Sequence, residues 1–205
     1  MRELIPYKTY HGAQRALDNG GRFYSIFAKS GDEVIDHAEL ARAAGVYSTG
    51  AKAFLHFEMG VMDLPTEQKD QIVASLSPGL LEKYQFQKPA VYRPSVVESQ
   101  GNAGEMTIVS GYPAFVEDKT RFTGFIVMVV PVIVMIPIYD QFDVYEVYDT
   151  PALNTPRTVI ATTRGTRHLD GTHVRFGGPL KELYFEDKTS KDHGLFLETL
   201  YYTRL

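Results

Sequence analysis

The chain has 205 residues with 21 Lys and Arg against 25 Asp and Glu, a length between one large domain and two small ones at roughly 100–200 residues per domain. It contains no cysteine, which excludes a disulfide framework, a thiolate zinc site and a cysteine nucleophile, and suits a reducing compartment. Residues 1–90 hold 10 basic against 11 acidic side chains and residues 91–205 hold 11 against 14, so neither half is a polybasic nucleic-acid binder by bulk charge.

At the N-terminus, Arg2, Glu3 and Lys8 surround only a brief Leu4-Ile5-Pro6 patch, with no run resembling a signal-peptide core, and the expected location is cytoplasmic. A run of short helices follows. His11 to Leu17 reads as helix and stops at Asn19-Gly20-Gly21, where Gly supplies positive φ. Phe23, Ile26 and Phe27 give a second helix one apolar face before Ser30-Gly31. Asp36 and Glu39 form a D-x-x-E capping box that opens a third helix, closing at Gly45. Ala51, Phe54, Leu55, Met59 and Met62 mark a fourth, ending before Pro65. Thr66 is placed to cap a fifth through Leu76, and Ser77-Pro78 opens a sixth to about Tyr84.

Residues 22–44 resemble an EF-hand, with a helix ending in Phe27, a polar loop, Ile35, and Glu39-Leu40 entering the next helix. With Ile35 as loop position eight and Glu39 as position twelve, the resemblance implies oxygen ligands at Ser30, Asp32, Asp36 and Glu39, and weak calcium binding. Ala28 stands where the family has its first acid, and Glu33 where the sharp turn has Gly.

Ala90 to Gly104, rich in Pro, Ser and Gly, reads as a connector or covering arm. Strand candidates then recur at short intervals: 106–109, 114–116, 124–130, 132–138, 142–148, 158–163, 173–176, 183–185 and 195–202. Turn signals lie between them, among them Ser110-Gly111, Asp170-Gly171 and His193-Gly194. The run from Phe122 to Tyr139 is eighteen residues without a charge, and a hydropathy scan would flag it as a membrane helix. Pro131 would break such a helix near its middle at about 3 kcal/mol, whereas Val- and Ile-rich pieces on either side of it suit two buried strands. Pro131 and Pro137 are then expected at strand ends or a bulge.

The expected fold class is α+β: an α-helical domain over 1–90, a connector over 91–104, and an antiparallel β barrel or sandwich over 105–205. From Phe142 onward, the D-G turn, the Gly177-Gly178 kink and the closing strand resemble the later part of an OB-fold barrel.

Two segments could carry chemistry. Arg164, Arg167, His168, His173 and Arg175 gather around Asp170, a basic hairpin of the kind that tracks a nucleic-acid backbone, with Phe176, Tyr184, Tyr201 and Tyr202 as stacking faces. Asp140, Asp143, Glu146 and Asp149 alternate with Tyr139, Phe142, Tyr145 and Tyr148, and carboxylates beside rings suit a sugar or a hard cation. On a strand, however, period two sends Asp140 and Glu146 to one face and Asp143 and Asp149 to the other. The histidines show no metal-binding spacing, and the nucleophile-elbow, dinucleotide and P-loop signatures are missing. The reading favoured by these features is a non-catalytic binding or interaction protein whose barrel takes a protein partner, an oligosaccharide or an oligonucleotide. The alternative is an enzyme using the 140–149 carboxylates with Arg164 or His168, in a site between the helical and β parts.

Overall fold

The computed structural model describes residues 1–18, 32–45, 50–115, 124–130, 132–137, 142–154, 157–163, 169, 171–185 and 194–205; positions 124–130, 132–137, 142, 163 and 183–185 are described by backbone alone. The chain is α+β, and it divides into two compact units, one of Leu4–Pro89 and one of Met1–Glu3 with Ala90–Leu205.

After the two-residue strand β1 (Arg2–Glu3), the first unit is built from α1 (Tyr10–Asp18), α2 (His37–Ala43), α3 (Gly50–Val61), α4 (Thr66–Ala74) and α5 (Pro78–Gln87). Local signals position these helices. The capping box at α2 forms as the sequence predicts: the Glu39 amide donates to Asp36 Oδ1 at 2.7 Å and the Asp36 amide donates to Glu39 Oε2 at 3.0 Å. At α4 the N-cap is Pro65 and not Thr66, which is the first helical residue; Pro65 brings no side-chain acceptor, and its fixed φ leads the chain into the helix. Ser77 precedes Pro78 at the start of α5, where the missing proline N–H is one the helix leaves unpaired anyway. The second helix expected around residues 22–27 lies outside the described residues.

Phe54 and Phe57 of α3 both meet the Tyr84 ring edge-on, at 5.8 and 5.5 Å, and join Leu17, Leu40, Ile72 and Leu80 in one buried cluster. The buried side of α3 is broader than the expected stripe, because Ala53, Phe57 and Val61 are buried as well as Phe54, Leu55 and Met59. Ile35 ties the chain ahead of α2 to the α4–α5 junction: its amide donates to the Ser75 carbonyl and its carbonyl accepts from the Ser77 amide, each at 2.9 Å.

The second unit is a β barrel. The stretch expected as a connector contributes β2 (Ala90–Tyr92), a 3-10 turn (Pro94–Val96) and α6 (Val97–Gln100). β2 runs parallel to the first barrel strand, and Val97 is fully buried in the barrel core. The barrel ring consists of β3 (Met106–Phe115), β6 (Phe142–Tyr148), β7 (Arg157–Thr163), β8 (Val174–Phe185) and β9 (Gly194–Glu198). β4 (Gly124–Val130) and β5 (Val132–Pro137) form a hairpin between the first two ring strands, and β10 (Tyr201–Arg204) pairs with β8 and with β1.

Hydrogen-bonded neighbours run β3–β6–β7–β9–β8 and back to β3, so the ring is closed. In ring numbering the order is 1-2-3-5-4-1, with β7 and β9 the one parallel pair of the ring. This closed Greek-key arrangement is consistent with an OB-like barrel.

Several boundaries differ from those expected, each for a non-local reason. β3 runs straight through Ser110-Gly111, because its first half pairs with β8 and its second half, from Tyr112, pairs with β6. At the changeover a Cβ on Gly111 would collide with the Tyr148 carbonyl and the Val147 side chain, so the turn-like glycine serves close strand approach. β8 likewise runs through Gly177-Gly178, where no Cβ on Gly178 fits against the Glu198 carbonyl. The last expected strand is divided into β9 and β10. Asp170-Gly171 does not close a hairpin, since β9 lies between β7 and β8; Gly171 has φ +75°, and Asp170 is outside the described residues.

Residues 124–130 and 132–137 are paired strands in register from Phe125 opposite Pro137 to Val130 opposite Val132, and not a membrane helix; Pro137 stands at a strand end as expected, and Pro131 lies outside the described residues. No helix among the described residues is long and apolar enough to cross a membrane.

Candidate functional site on the outer face of the barrel

Strand alternation sorts the ring side chains into two sets. Val109, Tyr145, Val147, Ile160, Val174, Phe176 and Leu197 belong to the inner cluster. The residues between them lie on the opposite side of the strands, and register lines four of them up, of which Tyr148 is itself only 8% exposed. Tyr112 pairs with Tyr148, and Tyr148 pairs with Arg157. On the other side, Gly111 pairs with Val174, which brings the preceding residue, His173, beside Tyr112. The imidazole and the Tyr112 ring stack at 4.8 Å with planes 15° apart.

Glu146, one step along the same face of β6, ties Tyr148 to Arg157. Its Oε2 accepts from the Tyr148 hydroxyl at 2.8 Å, and its Oε1 pairs with Arg157 Nε at 2.9 Å. Burial, then the Glu146 hydrogen bond and charge, push the Tyr148 phenol above its ordinary pKa, with Arg157 opposing. Tyr148 therefore stays a neutral donor. The Arg157 side chain is 48% exposed and that of Glu146 is 23% exposed, so the guanidinium faces water while the carboxylate is largely held.

The expected site residues fall in different places. His173 joins the row. Arg175 is 8% exposed on β8, opposite Ser110 and Thr203. Tyr145 is fully buried among the inner residues and meets Phe115 edge-on at 5.5 Å, so it presents no ring to a ligand. Asp143 shares Tyr145's side of β6 and is half-buried, and its backbone carbonyl accepts from the Thr162 hydroxyl at 3.2 Å. Asp149 Oδ1 accepts from the Ser95 amide at 3.1 Å. Of the supposed stacking faces, Phe176, Tyr201 and Tyr202 are buried. Arg164, Arg167, His168, Tyr139 and Asp140 lie outside the described residues.

In the EF-hand-like loop, Ser30 is outside the described residues. Asp32 is exposed and accepts from the Val34 amide at 3.2 Å, while Asp36 and Glu39 face one another in the capping box. Glu33, where the family has Gly, does adopt positive φ, at 66°. Among the described residues no three His, Cys, Asp or Glu side chains are grouped to hold a metal ion.

Sequence reasoning missed Tyr112 and Arg157. Tyr112 sits on the part of β3 that the supposed Ser110-Gly111 turn removed from any strand, and Arg157 stands one residue ahead of the expected start of β7. Compared with known proteins, the chain matches no family model, no curated protein and no solved structure. The fold and site define its class only to the extent of an α+β protein with a closed OB-like barrel.

Proposed function

We propose that this is a non-catalytic binding protein that takes a neutral oligosaccharide on the outer face of β3, β6 and β7. The observation that carries the reading is the row Tyr112, Tyr148 and Arg157 on the first, second and third strands of the barrel ring, with Glu146 holding Tyr148 and Arg157, and His173, just ahead of the fourth ring strand, stacked on Tyr112. That face is where OB-like barrels commonly take oligosaccharides and oligonucleotides. A stacked ring pair offers a flat apolar surface for a sugar face, and a guanidinium and carboxylate beside it offer a donor and an acceptor for hydroxyls. The charge balance favours a neutral ligand over a polyanion, since residues 91–205 carry 11 basic against 14 acidic side chains and lack the wide positive field that phosphate contacts need.

The test is calorimetric titration of the full chain with short β-linked glucose and N-acetylglucosamine oligomers and with a short oligothymidylate. Saturable sugar binding that Tyr112→Ala abolishes supports the reading. Binding of oligothymidylate alone, falling steeply with added salt, replaces the ligand class with nucleic acid. No binding of either overturns the proposal.

A further inference from the structure

Beside the row of Tyr112, Tyr148 and Arg157 runs a second one. Two residues along each strand, register sets Ala114 of β3 opposite Glu146 of β6, and Glu146 opposite Val159 of β7. Paired residues share a side of the sheet, with Cβ atoms roughly 5 Å apart, so Ala114 and Val159 flank Glu146 on the side that carries the first row. Ala114, Glu146 and Val159 are each half-buried. Beyond Val159 the second row reaches Phe196 of β9, which is 1% exposed, and there its open part ends.

The polar groups bordering this strip have bonding capacity to spare. Glu146 accepts from the Tyr148 hydroxyl through Oε2 and meets Arg157 through Oε1, whereas an ionised carboxylate offers about four lone-pair sites. Its side chain is 23% exposed, so a donor from outside can reach it. Arg157 engages Glu146 through Nε, and the rest of its guanidinium donors sit on a side chain that is 48% exposed. An open acceptor and open donors thus border two small apolar side chains.

A ligand group that uses all of these carries a donor, a carbonyl-type acceptor and a methyl within a few bonds. A hydroxyl has no methyl, and over Ala114 and Val159 it would shed water without gaining a partner. A carboxylate or phosphate brings a second negative charge to Glu146. An ammonium suits Glu146 alone. The acetamido group of an N-acetylhexosamine has every part: an N–H, a C=O and a CH3.

Resting on the oligosaccharide reading, we propose that the ligand is built of N-acetylhexosamine units. The acetamido N–H donates to Glu146, its carbonyl accepts from Arg157, and its methyl lies over Ala114 and Val159, while the sugar ring meets the stacked Tyr112 and His173 pair. Ala114 is the specificity-determining residue, because a larger side chain there would fill the space of the methyl.

The test is calorimetric titration of the full chain with β-linked tetramers of N-acetylglucosamine, of glucose and of glucosamine. The acetylated tetramer is expected to bind about tenfold more tightly than either of the others, the discrimination that one methyl group in an apolar site supplies. In Ala114→Leu that preference is expected to vanish. If Ala114→Leu loses its folded circular dichroism, saturation-transfer NMR on the wild-type chain decides: the acetyl methyl protons are expected to receive the strongest saturation, and saturation confined to ring protons overturns the inference. Equal binding of the acetylated and glucose tetramers overturns it and leaves the oligosaccharide reading standing, as does a preference that survives Ala114→Leu. Tightest binding of the glucosamine tetramer overturns it in favour of Glu146 as a simple acceptor for a cation. Binding of no tetramer overturns the oligosaccharide reading, and this inference with it.

Discussion

The inner and outer faces of β3, β6 and β7 are built from alternating residues of the same strands, yet they do different physical work. Inward, Val109, Tyr145, Val147 and Ile160 are fully buried and bring apolar surface together from distant parts of the sequence. Outward, Tyr112, Tyr148, Glu146 and Arg157 are joined by register, a hydrogen bond and an ion pair, and part of that set remains in water. If the outer face takes the proposed ligand, substitutions one residue apart should separate stability from binding.

The largest expected effect is on the inner face. Phe176→Ala removes a fully buried ring from the barrel core and is expected to cost about 3–5 kcal/mol, read by denaturant unfolding; a loss under about 1 kcal/mol would show that the interior is not close-packed.

The helical unit supplies a reference in which single hydrogen bonds, between helices or at a cap, can be removed one at a time. Tyr84 donates to Glu58 Oε2 at 2.6 Å, and burial, then that hydrogen bond and the Glu58 charge, raise the phenol above its ordinary pKa. The folded value lies above the unfolded one, so this stabilisation is complete below about pH 10 and is lost as the pH rises through the folded value. Tyr84→Phe keeps the ring contacts with Phe54 and Phe57, and is expected to cost about 1.5 kcal/mol at neutral pH and to flatten the alkaline limb of a stability-against-pH curve. Asp36→Ala removes the side chain that caps α2 and should lower stability by about 0.5–2 kcal/mol, with helical signal lost first in the 36–44 segment by hydrogen exchange.

The smallest effect is on the outer face. Arg157→Ala breaks an ion pair that is half in water and should change stability by no more than about 1 kcal/mol. A larger change would mean that the row is a structural brace and would blur the distinction between the faces.

How much of this the sequence reveals follows the range of the interactions. The α2 capping box was legible because Asp36 and Glu39 are three residues apart and answer to each other alone. The two strands around Pro131 were legible for the same reason, since Val- and Ile-rich runs interrupted by proline leave few local options. Glycines misled where their role is long-range: Gly111 and Gly178 read locally as turn or kink, while in the fold they admit backbone from residues 148 and 198. Asp170-Gly171 carries the local mark of a hairpin, but the strand that separates β7 from β8 comes from residues 194–198, which no local pattern announces. The outer-face row was hidden in the same way. His173, Tyr112, Tyr148 and Arg157 come from four separate places, and three strand pairings, β3–β6, β6–β7 and β8–β3, bring them abreast. Tyr145 shows the converse, because the alternation around it was visible while the side that faces the core was not.

The most direct test of the division between faces is a paired measurement on Tyr112→Ala and Tyr145→Ala, with thermal unfolding and oligosaccharide titration run on each. The expected result is that Tyr112→Ala melts close to the wild-type chain and loses binding, while Tyr145→Ala is strongly destabilised and binds normally at temperatures where it remains folded. Loss of binding in step with loss of stability in both variants would contradict the account.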